Sequence, residues 1–591
     1  MKKFSYYLLL SFLFATLIFI PSCTSDNAAD GVKGDSEPFS VSSRLRSEPD
    51  RLNPILTADA GALQVIYKLF PTLLDRDPFT LGLKPMLAKT MPTMEILKEG
   101  EYEGDATHKF TYEILDEAVW DNGKPVLASD YLFTLKAVLN PEVGGAAGQY
   151  RGLLHFIKDL KIDPKNPKKF SVYVKGAFRS ESGSGFYVLP EHVYDPTSIM
   201  RNFELKDLAD KKAFEKIKDD PRLKEFGTLL MDAKYSRDIV ESCGAYKLVS
   251  WTSDQEIVLE KKKNWWGDKL AGKNPSLTAN PDKLIFKIIK DETAAITAMK
   301  DGSLDIVSSL TATGFDDVKN GNLADKFNFI TPVRAFYSYM GINTKRPHLS
   351  DKRVRQAIAH VIDTDKIIET LQNGYATKIA SFIQPDASYN NNKLKPIAFN
   401  IEKAKSLLAE AGWKDSNGDG IVDKMINGKR MELVVKPMST SGATIAPALT
   451  SLIAENAKKA GILFELETMD ATKMRANLAS RNFDAWFAGA GFDLDDYDPY
   501  QLFHTDSDNP KGANRAGFGN AASDAIIKEI RETDNQSRRV ELYHQLQEMV
   551  YDEQPIVFLY SPQDRIIAQK HLKNVITSGR FPGYFENYFE R

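Results

Sequence analysis

Residues 484–500 read DAWFAGAGFDLDDYDPY and bring carboxylates and aromatic rings together in one short stretch. The acidic residues are Asp493, Asp495, Asp496 and Asp498, and the rings around them are Trp486, Phe487, Phe492, Tyr497 and Tyr500. Acidic runs usually lie on solvated surfaces, whereas aromatic clusters are usually buried. Such a stretch suits either turn residues facing solvent or an ion pair that rings shield from water.

A pair of carboxylates also suits acid–base catalysis, so a secreted hydrolase is one hypothesis for this chain. Asp495 and Asp498 are the candidate pair, but this chemistry needs two carboxyls in different environments. The chain contains no G-x-S-x-G, H-E-x-x-H or G-x-x-x-x-G-K-[ST] motif, and its eight histidines are scattered. The absence of these motifs and of a histidine pair disfavours the hydrolase hypothesis.

The amino terminus, MKKFSYYLLLSFLFATLIFIPSC, has the pattern of a secretory signal. Lys2 and Lys3 precede an uncharged apolar run, and Cys23 follows the small residue Ser22 as in a bacterial lipobox, although Pro21 departs from the usual lipobox residues. We predict a lipoprotein signal peptide over 1–22, lipidation of Cys23 and a flexible tether over 23–37. A retained transmembrane anchor is the alternative, since the run approaches the ~20 residues that span a bilayer.

The rest of the chain is too long for one hydrophobic core, so at least two lobes are expected. Loss of two lysines with residues 1–22 takes the net charge from −3 to −5, and this mild acidity disfavours a nucleic-acid partner. Cys243 is the one cysteine after Cys23, which excludes an internal disulfide in the mature chain. We predict that Cys243 is a buried apolar residue.

Strand and helix patterns alternate along the chain, which predicts α/β lobes. HKFTYEIL alternates like a strand, and DETAAITAMKDG reads as a helix between the strands DKLIFKIIK and LDIV. An amphipathic helix is predicted to start at a Ser350 or Asp351 cap and to run through SDKRVRQAIAHVIDTDKIIETL. Residues 200–235 are rich in charge and are predicted to form an exposed helical insertion.

Seven segments in this order resemble the family 5 extracellular solute-binding proteins, the peptide, dipeptide and nickel receptors of ABC importers. They are HKFTYEILDEAVWDNGKPVLASDYLFTL, CGAYKLVSW, NWWGD, ETAAITAMKDGSLDIV, GINTKRPHLSDKRVRQAIAHVID, AKSLLAEAGW and the aspartate-rich stretch. The resemblance covers residues 38–591. It implies a two-lobed, class II periplasmic-binding-protein-like α/β fold with an extra subdomain in the large lobe and a ligand cleft between lobes. The large lobe would take 38–330 and 565–591, and the small lobe 331–564.

The resemblance also assigns site residues. In peptide receptors of this family, an aspartate before the Asp-Pro pair binds the α-ammonium of the peptide, and alignment on Asp498-Pro499 places that role on Asp495. Asp498 is then predicted to be a turn residue. Other predicted ligand-binding residues are Phe492, Tyr497, Trp486, Tyr337, Tyr339 and Asn343.

One loop departs from the family pattern. Dipeptide receptors carry an arginine for the ligand carboxylate where this chain has KPMSTSGAT (436–444), with Ser439, Thr440 and Ser441 and no arginine. The departure disfavours a strict dipeptide receptor and favours a longer peptide or a ligand without a carboxylate.

The resemblance implies partners as well: a peptide ligand, an ABC permease with its ATPase, and a membrane reached through a lipid on Cys23. We expect a monomer in the cell envelope, facing the periplasm or exterior, with no cofactor and no nucleic acid. A nickel or haem complex or an oligosaccharide are alternative cargoes.

A further motif, DSNGDGIVDKMI (415–426), resembles a calcium loop with Asp415, Asn417, Asp419 and Asp423 at ligand positions. Ile426 occupies the place of the bidentate glutamate, so a hairpin turning at Asn427-Gly428 is the favoured alternative to calcium binding.

Overall fold

The computed structural model describes residues 38–78, 82–98, 100, 102, 104–176, 185–385, 387–441, 443, 445–492, 497–510, 512–533 and 535–591. The predicted signal peptide, Cys23 and the predicted tether lie outside these residues. None of the helices in the described ranges combines the length and the apolar character that a bilayer crossing requires.

The first large sheet has seven strands in the order β12-β23-β11-β1-β10-β9-β8, with strands numbered along the chain. Its members are β1 Ser40–Leu45, β8 Tyr246–Thr252, β9 Glu256–Lys261, β10 Lys283–Ile288, β11 Ile306–Val307, β12 Phe327–Ile330 and β23 Ile566–Gln569. β1 is parallel to β10 and β11, and the helix Glu292–Lys300 connects those two strands. This confirms the strand–helix–strand unit that the sequence predicts. Asp291 caps the helix by accepting from the Ala294 amide.

A second, antiparallel sheet follows the order β4-β5-β7-β6. Its members are β4 Thr93–Ile96, β5 His108–Glu113, β6 Ile157–Asp163 and β7 Asn166–Val174, and a separate pair joins β2 Leu74–Arg76 to β3 Leu83–Pro85. β5 alternates between buried and half-buried residues, as HKFTYEIL predicts. The buried side of this sheet joins the same hydrophobic core as the first sheet.

The third sheet has six strands in the order β14-β22-β13-β21-β18-β20. Its members are β13 Phe336–Ile342, β14 Ala376–Lys378, β18 Pro437–Thr440, β20 Glu467–Met469, β21 Ala485–Gly491 and β22 Ile556–Pro562. Two short pairs accompany it: β15 Asp423–Ile426 with β16 Lys429–Glu432, and β17 Val434–Val435 with β19 Leu463–Phe464. Separate hydrophobic clusters lie against this sheet.

Helices cover the sheets. Those between residues 60 and 319 are Ala60–Leu69, Ala128–Leu139, Ala147–Leu153, Glu191–Tyr194, Leu205–Ala209, Lys211–Phe214, Pro221–Leu230, Lys234–Arg237, Glu292–Lys300 and Ala312–Lys319. Those after residue 350 are Lys352–His360, Thr364–Gln372, Ile401–Glu410, Ala446–Lys459, Ala471–Ser480, Tyr500–Phe503, Ala521–Glu532 and Gln536–Glu553. The segment 200–235 forms short helices that bury Leu223, Phe226 and Leu230 in the main core, so only part of its surface is exposed.

The single helix predicted from Ser350 or Asp351 onward is wrong in one respect, because the structure divides it. Asp351 caps the first helix, Lys352–His360, as predicted. The chain then breaks, and Asp363 accepts from the Lys366 amide to cap a second helix, Thr364–Gln372. An aspartate between two apolar repeats is a strong cap, which here outweighs the continuous periodicity.

Two connections join the first and third sheets. The chain passes from β12 to β13 through residues 331–335 and returns from β22 to β23 through residues 563–565. The two segments pair with each other, because the Arg334 amide donates to the Pro562 carbonyl (2.9 Å) and the Asp564 amide donates to the Pro332 carbonyl (2.8 Å). The lobe boundaries implied by the resemblance, 330/331 and 564/565, stay a prediction; the first lies where β12 ends and the second between residues of the return segment.

Cys243 is buried, as the sequence predicts. Burial raises the pKa of its thiol well above the ordinary value. The indole N–H groups of Trp265 and Trp266 both donate to the Cys243 carbonyl, at 3.0 and 2.9 Å. The residue therefore belongs to a packed core and not to a reactive site.

Candidate functional site

The site is built on β21, the strand that leads into the aspartate-rich stretch. β21 is antiparallel to β13, and the register pairs Phe336 with Gly491, Ser338 with Gly489 and Gly341 with Trp486. On its other side, β18 pairs with β21 at Ala485 and Trp486. From Phe487 to Gly491, the edge of β21 that faces away from β13 has no strand partner within the described ranges.

The sequence of this free edge leaves its backbone accessible. β21 reads AWFAGAG, and both Gly489 and Gly491 are exposed. Small residues keep side chains away from the peptide groups, so another extended chain can approach closely. A sheet edge with unpaired N–H and C=O groups is a template for a further strand.

Predicted ligand residues cluster on one face of the third sheet. The ring of Tyr337 lies 4.8 Å from that of Phe492 and 5.6 Å from that of Tyr339, centroid to centroid. Tyr339 in turn meets Trp486 edge to face at 6.1 Å. Tyr337, Phe492 and Trp486 are buried, and burial raises the pKa of Tyr339. These rings pack against one another on one face of β13 and β21. Their direct contact with a ligand stays a prediction.

Residues 493–496, which include Asp495, lie outside the described residues. The residues on either side, Phe492 and Tyr497, make hydrogen bonds to other segments of the chain. The Phe492 amide donates to the Ala335 carbonyl in the first crossing segment (3.0 Å). On the far side, the Tyr543 hydroxyl donates to the Tyr497 carbonyl, and the Tyr497 ring packs on Phe382 with centroids 5.0 Å apart. The described residues on either side of 493–496 are therefore anchored, Phe492 to the crossing segment and Tyr497 to the helix Gln536–Glu553.

Asp498 is a turn residue, as predicted. Its carboxylate accepts from the Tyr500 amide (3.1 Å) and lies 3.6 Å from the guanidinium of Arg531. Arg531 also stacks on the Tyr500 ring at 4.4 Å. These contacts fix the end of the aspartate-rich stretch against the helix Ala521–Glu532.

The remaining predicted residues lie elsewhere on the third sheet. Asn343 is buried just beyond β13, and its amide donates to the carbonyls of Arg481 (3.2 Å) and Phe483 (2.9 Å). These bonds give the Asn343 side chain a structural role. Ser439 is buried on β18, Thr440 is half-buried and Ser441 is exposed. Exposure to solvent therefore increases from Ser439 to Ser441, as the chain leaves β18.

Two phenylalanines near this site are exposed, which the sequence did not predict. Phe336 and Phe581 have 36% and 39% of their surface accessible, respectively. Both lie next to the first crossing segment, because the Ala335 amide donates to the Gly579 carbonyl (2.8 Å). An apolar residue at the start of a predicted strand looks like a core residue, so only the tertiary arrangement reveals their exposure.

The acidic loop at 415–426 forms the predicted hairpin. β15 and β16 pair around Asn427 and Gly428, both of which have positive φ (49° and 78°). Asp415 accepts from the amides of Gly418 (2.6 Å) and Gly420 (2.9 Å). The loop therefore uses the Asp415 carboxylate to hold its own turn.

Most of the chain is similar to a known protein family. The family model described as bacterial extracellular solute-binding proteins, family 5 Middle, matches residues 83–512. The chain belongs to this family. The oligopeptide-binding protein AppA of Bacillus subtilis (strain 168) is 24% identical over 576 residues, which cover 96% of this chain and 95% of AppA.

Solved structures of the family share the fold. The structure of Bacillus subtilis AppA in complex with a nonapeptide aligns with a TM-score of 0.63 at 21% identity, covering 94% of this chain and 99% of that one. NikZ from Campylobacter jejuni in complex with Ni(L-His) aligns with a TM-score of 0.64 at 20% identity, covering 93% and 99%. The resemblance inferred from seven segments is confirmed, and the protein has the two-lobed α/β fold of family 5 binding proteins.

Proposed function

We propose that this family 5 solute-binding protein captures oligopeptides outside the cytoplasm and delivers them to an ABC importer. The observation that carries the proposal is the edge of β21 that has no strand partner among the described residues, with exposed Gly489 and Gly491, next to the crossing segments. An extended peptide satisfies such an edge with its own backbone. The names of relatives, AppA among them, point to the same class of cargo.

Backbone pairing explains how one site accepts many sequences. Hydrogen bonds to β21 involve only the peptide groups of the ligand, which every peptide shares. Water retained around the ligand side chains can replace contacts that a given sequence does not make. Specificity then rests on the few places where a protein side chain meets a ligand side chain.

The amino terminus of the peptide is assigned to Asp495. Asp495 follows the free edge by four residues in the sequence, and its carboxylate would accept a charge-assisted hydrogen bond from an α-ammonium group. The carboxyl terminus has no arginine in the loop 436–444. This favours peptides longer than a dipeptide, whose carboxylate need not be held at one point.

Binding is coupled to movement of the lobes about the paired crossing segments 331–335 and 563–565. Ligand stabilises the closed form only through contacts that the open form lacks, so closure is limited by that difference in affinity. The closed form is the one that would dock on the permease. A lipid on Cys23 would keep the monomeric receptor at the membrane surface.

Two measurements test this function. Native mass spectrometry of the protein purified from its own host should show bound peptides longer than two residues, whereas a metal complex or a sugar in their place would contradict the proposal. Calorimetry with a tetrapeptide that is N-methylated at one amide at a time tests the pairing. Successive residues of a strand direct their N–H groups to opposite sides, so we expect a loss of about fivefold to tenfold at alternate positions. An equal effect at every position would contradict strand addition.

A further inference from the structure

Phe336 is the first residue of β13 and presents an exposed ring beside the free edge. The register places Phe336 opposite Gly491, on the same face of the sheet as Ser338 and Gly489. The deeper residues on this face, Met340 and Ile342, are fully buried in a core cluster. This face of β13 is therefore buried at its Ile342 end and accessible at its Phe336 end, which adjoins the crossing segment.

The Phe336 ring lies across β21 because Gly489 has no side chain. A methyl group added at Gly489 would overlap the far end of the Phe336 ring. The ring therefore occupies the space that a side chain at 489 would fill, diagonally across the strand pair. It reaches from β13 over the backbone of β21, toward the edge that has no strand partner in the described chain.

The spacing of strands determines which part of an added peptide the Phe336 ring can contact. Neighbouring strands lie about 4.8 Å apart, so a peptide added to the free edge lies two spacings, ~10 Å, from β13. A side chain on β13 that is perpendicular to the sheet does not span that gap, whereas the Phe336 ring, which lies over β21, does. Every second side chain of an added strand would lie on the same face of the sheet as this ring.

We propose that Phe336 is a specificity-determining residue that binds one aromatic or large aliphatic side chain of the bound peptide. The inference rests on the proposed function and adds a preference to it. Contact between two rings, or between a ring and a branched aliphatic group, removes apolar surface from water on both partners. The Gly489–Phe336 contact orients the ring, so Gly489 acts as a positioning residue for the same subsite.

A peptide scan with matched variants tests the proposal. The probes are tetraglycine and four tetrapeptides with a single phenylalanine at positions 1 to 4, titrated calorimetrically. With the natural protein, at least one phenylalanine peptide should bind more tightly than tetraglycine. Phe336→Ala should weaken that peptide about tenfold, which equals ~1.4 kcal/mol, and leave tetraglycine within about twofold. Phe336→Leu should recover part of the loss.

Two further variants complete the design. Gly489→Ala should displace the ring, so the ratio of the affinity for the phenylalanine peptide to the affinity for tetraglycine should fall as it does in Phe336→Ala. Phe399→Ala removes a ring of similar exposure, 40%, that precedes the helix Ile401–Glu410, and it should leave all five affinities unchanged. Equal losses for tetraglycine and the phenylalanine peptides in Phe336→Ala would overturn the subsite, as would no loss at any position. Absence of peptide binding by the natural protein would instead contradict the proposed function.

Discussion

The hydroxyl of Tyr375 donates to the carboxylate of Asp316, with 2.5 Å between the two oxygens. Tyr375 belongs to the chain between the helix Thr364–Gln372 and β14 of the third sheet, whereas Asp316 lies on the helix Ala312–Lys319, which packs with β11 and β12 of the first sheet. The Tyr375 ring also meets Phe315 edge to face at 5.4 Å. One side chain thus links the two lobes directly beside the crossing segments.

We expect Tyr375→Phe to lower the free energy of unfolding by about 1 kcal/mol. A hydrogen bond to a charged acceptor contributes more than this when buried, but both groups are partly exposed. The phenyl ring keeps the contact with Phe315, so the loss isolates the hydroxyl. Urea unfolding measures the change.

A double-mutant cycle with Asp316→Asn separates this bond from other effects. If the bond carries the loss, Asp316→Asn should add little to Tyr375→Phe, because the first change has already removed the interaction. Fully additive losses would show that the two residues act independently, contrary to the structure.

A second prediction concerns the support of the aspartate-rich stretch. Tyr543→Phe removes the hydroxyl that donates to the Tyr497 carbonyl, at the point where the chain leaves residues 493–496. We expect peptide affinity to fall about threefold to tenfold, because the carboxylate at 495 loses a fixed neighbour. The measurement is calorimetric titration with a free-amino peptide.

Tyr551→Phe provides the matched control. Its hydroxyl donates from the same helix, Gln536–Glu553, to the Lys395 carbonyl (2.9 Å) and not to the aspartate-rich stretch. The control should show a similar or smaller change in stability and no change in affinity. Equal affinity losses in both variants would point to a general loosening of the helix.

Secondary structure and fold class followed from local patterns in the sequence. The alternation in β5, the cap at Asp351 and the turn at Asn427-Gly428 are signals that act within a few residues, and each is present in the structure. The break at Asp363 was missed because the apolar period continues across it. The helix boundary there depends on whether the Asp363 carboxylate accepts a hydrogen bond from the Lys366 amide. The spacing of apolar residues carries no information about that bond.

The site was harder to predict for a physical reason. Tyr337 and Phe336 are neighbours in sequence, yet the first is buried and the second is exposed, since successive strand residues point to opposite faces. The family resemblance points to Tyr337, whereas no motif in the sequence singles out Phe336. Which of the two residues is buried is set by packing between distant segments, and no local pattern encodes it.

A third prediction follows from a buried carboxyl group. Asp130 accepts from the amides of Leu127 (2.9 Å) and Glu191 (3.1 Å) and from the Trp120 indole (3.2 Å). Burial raises the pKa of Asp130 to about 6, although these donors oppose the shift. The raised pKa means that folding favours the protonated form. This contribution to stability is complete below the unfolded pKa of 3.8 and is lost as the pH rises through about 6.

Asp130→Asn is neutral at every pH and should remove this dependence. Between pH 4 and pH 7, the natural protein should lose roughly 2–3 kcal/mol of unfolding free energy relative to the variant. The variant starts from a lower stability, because one amide oxygen replaces two carboxylate oxygens as acceptor. Chemical denaturation at several pH values gives the difference, and parallel curves for the two proteins would contradict the raised pKa.

The predicted anchor at Asp495 gives the sharpest test of the site. Asp495→Asn keeps the size of the side chain and removes its charge, so the loss should appear only with ligands that carry a positive amino terminus. For a free-amino tetrapeptide we expect affinity to fall roughly tenfold to 100-fold, as for a hydrogen bond to a charged group. The N-acetylated form of the same peptide should bind the natural protein and the variant with affinities within about twofold. Equal losses for both peptides would assign the α-ammonium to another group while leaving the strand-edge mechanism at β21 intact.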